Sequence, residues 1–518
     1  MLILVVIAAS VLGVSALSHL KTATPDYREG MVSDERPLSL NPLVGATDQS
    51  VRDLGALLYR RLLRLDDRAV PVADLASSFS VSQDGLTYHL PLRSGQQWSD
   101  GRTVTVADVL ATVAWVQSSG FGDAVTAAPW RDVHAQAVGD GVSFDLAGPR
   151  ASFAAQLTQL PILPIGTMSR AAITALPKTA AVPMPTSGPF DVVSATPSTV
   201  TLFPNPHAAV TAHLNQVEID LFGSFADAAA AYRAGTVDSV LASDPVQRAE
   251  LVAAGGAVHN IKTFRFVDLL FNERGILADP AVREAIAAAI DRNALVAGPL
   301  RGMGVAETGA IPEGIAWATP SQPAPAGDVS SAISVLDAAG WSPGPDGIRV
   351  HGATRLHVSL AVADIIPLPD LAAGISAQLA RVGISAEVTT MPTASLRELL
   401  VAGGGYDMAV ADWDNGPDPD VSSFWRSTAV PPTGFNVSGG PVDPFLDQAL
   451  DSLATLSDTA TRVAAAAAVS SQLADDLPAV FLETPELSLV VRPGITVTIA
   501  PVGASAARFN DITSWHRG

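Results

Sequence analysis

"PVADLASSFSVSQDGLTYHLPLRSGQQWSDGRTVTVADVLATVAWV", residues 71–116, carries three local signals in a fixed order. Asp84-Gly85 is the kind of pair that closes a tight hairpin. Leu86–Leu92 then alternates as a strand does, and Ser99-Asp100-Gly101 turns the chain again. Thr105 with Asp108 makes a capping box ahead of Val106, Val109, Leu110, Val113 and Val116, which fall on one helical face. A hairpin feeding a capped helix is mixed α/β construction.

The same grammar extends in both directions. Asp279-Pro280 reads as N-cap and first helical residue, with Val282, Ile286 and Ile290 stacked behind. Leu371, Ile375 and Leu379 stripe another helix, which Gly383 should stop in a left-handed turn. Asp458 should open an alanine-rich helix running to about Asp476, with Pro478 beyond its end. The segments 198–204 and 488–500 read as strands. Pro/Gly-rich stretches at 181–189, 309–327 and 430–444 suggest joints, and no repeat of solenoid period occurs.

Composition narrows the function. The chain has 518 residues, ample for two or three domains, and 51 acids against 31 bases give a net charge of −20. Such a surface repels phosphate backbones, so no nucleic-acid partner is expected. The absence of cysteine removes disulfides, thiolate metal sites, cysteine nucleophiles and lipid attachment at cysteine together. The apolar run at residues 1–20 reads as a signal peptide or an N-terminal membrane anchor, and both export the folded body. The expected location is the periplasm or the outer face of the membrane, with membrane contact only through that segment.

Catalytic signatures are missing. There is no G-x-S-x-G elbow, no G-x-x-x-x-G-K loop and no H-E-x-x-H. His351 and His357 are expected to share one strand, too far apart for one metal. The acidic run "ADWDNGPDPD" at 411–420 fails as an EF-hand started at Asp412. Pro417 stands where glycine is demanded, and Ser423 where a bidentate glutamate is needed. The chain is read as a non-enzyme with no cofactor and no resident metal.

Several spaced motifs carry a family resemblance. Pro71, Leu75-Ala76, Asp84-Gly85, Thr87-Tyr88, Leu92-Arg93, Gly95, Trp98–Gly101 and Asp108-Val109 resemble the signature region of solute-binding protein family 5. That family comprises the peptide-, dipeptide- and nickel-type binding proteins of ABC importers. "LLFNERGILADPAVREAIAAAIDRNALV" (269–296) and "YDMAVADWDNGPDPDVSSFW" (406–425) resemble two further family segments. The resemblance implies an α/β, two-lobed periplasmic-binding-protein-like fold of class II, with an extra subdomain in the first lobe. Lobe I would take 26–265 and the return 485–518, with 46–181 as the inserted subdomain; lobe II would take 266–484.

The resemblance also implies a ligand site. In peptide-binding relatives an aspartate of the "W-ADY-DP" segment receives the ligand's α-ammonium, and the nearby tryptophan walls the site. Carried onto this chain, Asp414 is the first candidate, Asp412 the second, and Trp413 the wall. Asp418, between two prolines, is expected to shape the turn. The expected function is capture of oligopeptides or dipeptides between two closing lobes by a monomer that delivers them to an ABC permease and its ATPase subunits. The alternative is an envelope regulatory or scaffolding protein that keeps the fold without a transport role.

Overall fold

Two sheets organise the chain. The computed structural model describes residues 25–518 except 47, 175–182, 313, 314, 316 and 318–325. The apolar segment 1–20, and parts of the joints at 181–189 and 309–327, lie outside the described residues. Among the described residues, no helix is long and apolar enough to cross a membrane.

The first sheet has seven strands in the order Ala257–Lys262, Glu486–Val491, Ser239–Ala242, Tyr27–Val32, Val217–Phe222, Thr199–Pro204 and Phe190–Ala195. The strand Val217–Phe222 alternates buried and half-buried residues along its length, as a sheet with one covered face requires. The second sheet has six strands: Val305–Ala306, Ala479–Thr484, Arg265–Phe271, Met408–Asp414, His357–Ala363 and Ser385–Met391. Its strand Arg265–Phe271 is buried at every residue after the first, as an interior strand covered on both faces should be. Each sheet has its own apolar core, and these two cores define two lobes.

The chain passes between the sheets twice, at 263–265 and at 485–486. These crossings lie side by side: Thr263 donates its backbone N–H to the Pro485 carbonyl at 3.0 Å and its hydroxyl to the same oxygen at 2.7 Å.

A smaller four-stranded sheet, ordered Ser80–Val81, Thr87–Pro91, Gly141–Leu146 and Val133–Val138, sits beside the first lobe and shares its core. The Asp84-Gly85 hairpin joins its first two strands, with Gly85 at φ +72°, a region open to glycine and closed to most side chains. Helix Val106–Val116 packs against this sheet and carries the full capping box between Thr105 and Asp108. Helix Pro280–Ala289 begins on the Asp279 cap, and Thr459–Asp476 begins on Asp458 and ends before Pro478.

Two local expectations are corrected. The segment 488–500 is not one strand: it leaves the sheet at Val491, turns at Gly494 (φ +95°), and resumes as Ile495–Thr496 paired with His516–Arg517. Proline at 493 offers no N–H to a ladder and the glycine takes the turn, so the apolar pattern is interrupted. His351 and His357 likewise do not share a strand. Arg349–His351 folds back through Gly352 onto Thr354–Arg355, and His357 opens a strand of the second sheet. The predicted helix over Leu371–Leu379 spans Leu368–Ala380, and Gly383 at φ +82° turns the chain toward its next strand.

Candidate functional site: a cleft between the lobes

The acidic run lies at the end of an interior strand. Met408–Asp414 pairs antiparallel with Arg265–Phe271, in the register Arg265↔Asp414, Phe266↔Trp413 and Val267↔Asp412. Successive side chains of a strand point to opposite faces. Asp412, Asp414 and Arg265 therefore share one face, while Trp413 and Asp268 share the other.

On the first face the two aspartates differ. Arg265 Nε donates to Asp412 Oδ1 at 2.9 Å and Nη2 donates to Asp412 Oδ2, a two-pronged ion pair. Burial works against the charge of the Arg265 guanidinium, but Asp412, with Asp414 and Glu483 beyond it, leaves its pKa above the usual arginine range. Asp414 is exposed, and its carboxylate accepts the backbone N–H of Gly416 at 2.9 Å. Among the described residues Asp414 makes no ion pair.

On the second face Trp413 donates its indole N–H to Asp268 Oδ2 at 3.2 Å. Its ring lies 5.2 Å from Phe424 and 6.1 Å from Phe435, centroid to centroid. Asp268 is fully buried, and its other oxygen has no hydrogen-bond partner among the described residues. Burial pushes its carboxyl well above the usual range, the Trp413 hydrogen bond opposes that shift, and Asp412 adds to it. Glu483, on the neighbouring strand, is raised in the same way, first by burial and then by Asp412. Asp418 is a structural acid. It accepts from Asp420 N–H and takes both Arg462 Nη atoms, at 3.0 and 2.6 Å, inside the second lobe.

All three residues expected at the site border one open cleft of about 930 Å³. Its first-lobe wall includes Gln49, Arg52, Gln159, Leu241, Ser243 and Leu487; its second-lobe wall includes Leu368, Leu396, Arg397, Trp413, Asp414 and Phe435. Thr263, Phe264 and Arg265, at the first crossing, line it between the two walls. The volume lies near the top of the ~300–1,000 Å³ range of small-ligand sites. Sequence reasoning missed Arg265, Asp268 and Arg397. The first two lie on an apolar strand whose pairing partner is set by the fold alone, while Arg397 sits in the amphipathic run Thr393–Ala402 without a distinguishing motif. Among the described residues no group of three or more His, Asp or Glu is arranged to hold a metal ion.

Two lobes around a cleft, joined by two adjacent crossings, form the two-lobed binding-protein fold. Comparison with known proteins makes the family specific. The model of the bacterial extracellular solute-binding proteins, family 5 Middle, matches residues 70–434, and the chain belongs to that family. It is similar to Protein XP55 of Streptomyces lividans, 27% identical over 479 residues, covering 86% of this chain and 81% of that one. It is also similar to an ABC transporter peptide-binding protein of Brucella ovis, 26% identical over 419 residues, covering 76% and 74%. In fold it matches the ABC transporter substrate-binding protein CtaP of Listeria monocytogenes with a TM-score of 0.78 at 19% identity, over 95% of this chain and 99% of that one.

Proposed function

We propose that this chain captures short peptides in the interlobe cleft and hands them to an ABC permease. The observation that carries the reading is Asp414, an exposed carboxylate that makes no ion pair among the described residues and that borders the cleft, as Trp413 does. Asp414 receives the peptide's α-ammonium through charge-assisted hydrogen bonds, and Trp413 supplies an aromatic wall. Asp412 acts one step back, holding Arg265 on the lining of the cleft. The likeness to the peptide-binding protein of Brucella ovis supports this choice of ligand class. Nothing in the cleft favours the scaffolding alternative.

The lobes in this reading comprise 26–265 with 485–518, and 266–484, with 46–181 as the inserted subdomain. The chain works as a monomer outside the cytoplasm, directed there by residues 1–20, and does no chemistry on its ligand. ATP hydrolysis belongs to the transporter's own subunits. Isothermal titration with free and N-acetylated di- to pentapeptides tests the proposal. Free peptides should bind and acetylated ones should bind about tenfold more weakly or not at all, because a charged hydrogen bond is lost. Equal binding of both forms, or of neither, would rule it out.

A further inference from the structure

The pair Arg60-Arg61 is treated unequally by the fold. Arg60 Nε and Nη2 both donate to Asp74 Oδ1, at 2.8 and 2.5 Å, and Nη1 donates to Gln96. The second oxygen of Asp74 accepts the backbone N–H of Arg61 at 3.2 Å. Asp74 is thereby committed. Arg61 follows in extended backbone bridged to Pro161, so its side chain leaves on the opposite side from Arg60. Its guanidinium has no ion pair and no side-chain hydrogen bond among the described residues. Burial draws its pKa below the usual arginine range, and Asp74 offsets that only in part.

Arg61 lines a cavity of about 280 Å³ in the first lobe, with Arg52, Gln156, Gln159, Trp130 and Pro161. In a chain with 51 acids against 31 bases, this cavity is lined by two arginines and no acid. Gln49, Arg52, Gln159 and Ala504 border both this cavity and the interlobe cleft, so the one opens beside the other. A half-buried cation without an anion has lost hydration and gained nothing in exchange. A carboxylate would restore that balance, and the planar guanidinium presents two parallel N–H groups of matching geometry.

We propose that this cavity is a carboxylate subsite of the ligand cleft, in which Arg61, with Arg52 at its mouth, receives a carboxylate of the bound solute. The proposal rests on the peptide-capture reading for its ligand and extends it. The ligand lies across both lobes, its ammonium on the second and a carboxylate on the first. The carboxylate is either the C-terminus or an acidic side chain.

The test uses isothermal titration of the wild type, Arg61→Gln and Arg61→Lys. The probes are trialanine, its C-terminal amide, and an amidated tripeptide with one glutamate. Amidation should weaken wild-type binding by about tenfold or more, the loss of a charged hydrogen bond. Arg61→Gln should bind acid and amide alike, and Arg61→Lys should keep part of the preference. Recovery of affinity with the glutamyl amide would assign the subsite to a side chain; no recovery would assign it to the C-terminus. Equal wild-type affinity for acid and amide, with no gain from glutamate, would overturn the subsite, as would discrimination that survives Arg61→Gln. If no peptide binds at all, the peptide reading falls separately. The subsite then stands if succinate raises the melting temperature of the wild type and not of Arg61→Gln, and falls otherwise. The unliganded Arg61→Gln protein should melt no lower than the wild type, because Arg61 gives up no ion pair.

Discussion

Asp412 and Asp414 lie two residues apart on one strand face, and their surroundings give them different work. Asp412→Asn removes half of the two-pronged pair with Arg265 and should lower the melting temperature, by an amount corresponding to about 1 kcal/mol for a pair partly open to solvent. Asp414→Asn breaks no ion pair. It should leave the melting temperature in place and weaken peptide binding by about tenfold, read by titration. A reversed pattern would exchange the two roles. The sequence pointed to both acids and to the tryptophan between them, because the motif is local. The motif set Asp414 ahead of Asp412, but the ion pair that distinguishes them is made by Arg265, 147 positions from Asp412, and a single sequence does not reveal strand register over that distance. Asp268 was invisible for the same reason, a lone acid in an apolar strand until the fold sets an indole N–H against it.

At the scale of elements, what could be read was whatever closes on itself within a few residues. The Thr105–Asp108 capping box, the Asp84-Gly85 hairpin and the Asp279 and Asp458 caps all stand where their side chains place them. The misreadings at 488–500 and at His351–His357 share one cause: an apolar alternation continued across a glycine that turns the chain. Contacts between distant elements were unreadable, and the strongest is a buried ionic group near the C-terminus. Arg508, on the short 3₁₀ helix Ser505–Phe509, donates to Glu29 Oε1 from Nε and Nη2, at 2.8 and 2.6 Å, and to Asp53 Oδ2 from Nη1 at 2.7 Å. These contacts tie the tail to the strand Tyr27–Val32 and the helix Gln49–Leu58. Burial raises the pKa of the Glu29 carboxyl, with the arginine opposing it, and all three residues are almost wholly shielded from water. Arg508→Met would leave two buried acids facing each other. It should cost about 3–5 kcal/mol in urea denaturation, with hydrogen exchange rising in the first lobe before the second.

The whole molecule carries a pH signature. Burial raises the carboxyls of Asp268 and Glu483 well above their usual range, and burial with Asp443 pushes Asp476 up to about 6. An acid whose folded pKa is raised binds its proton more tightly folded than unfolded. Its stabilising contribution is complete below the unfolded carboxylate range near pH 4, and is lost as pH rises through the folded value. The melting temperature should therefore fall between pH 5 and pH 8, each such proton contributing a slope of about 1.4 kcal/mol per pH unit. Asp268→Asn keeps an oxygen for Trp413, and should raise the melting temperature at pH 8 while changing it little at pH 5. A profile unchanged by that substitution would remove Asp268 from this account. The topology of the sheets adds a consequence of another kind. The second sheet draws its strands only from 265–484, whereas Glu486–Val491 is an interior strand of the first sheet, laid between two that precede it by more than 200 positions. A chain delivered N-terminus first therefore cannot close its first lobe when that lobe's own early residues appear. Glu29 and Asp53 wait without a counter-ion until Arg508 arrives, almost at the end. The half encoded second can assemble first, and the half encoded first stays pliable until its last interior strand and Arg508 have arrived.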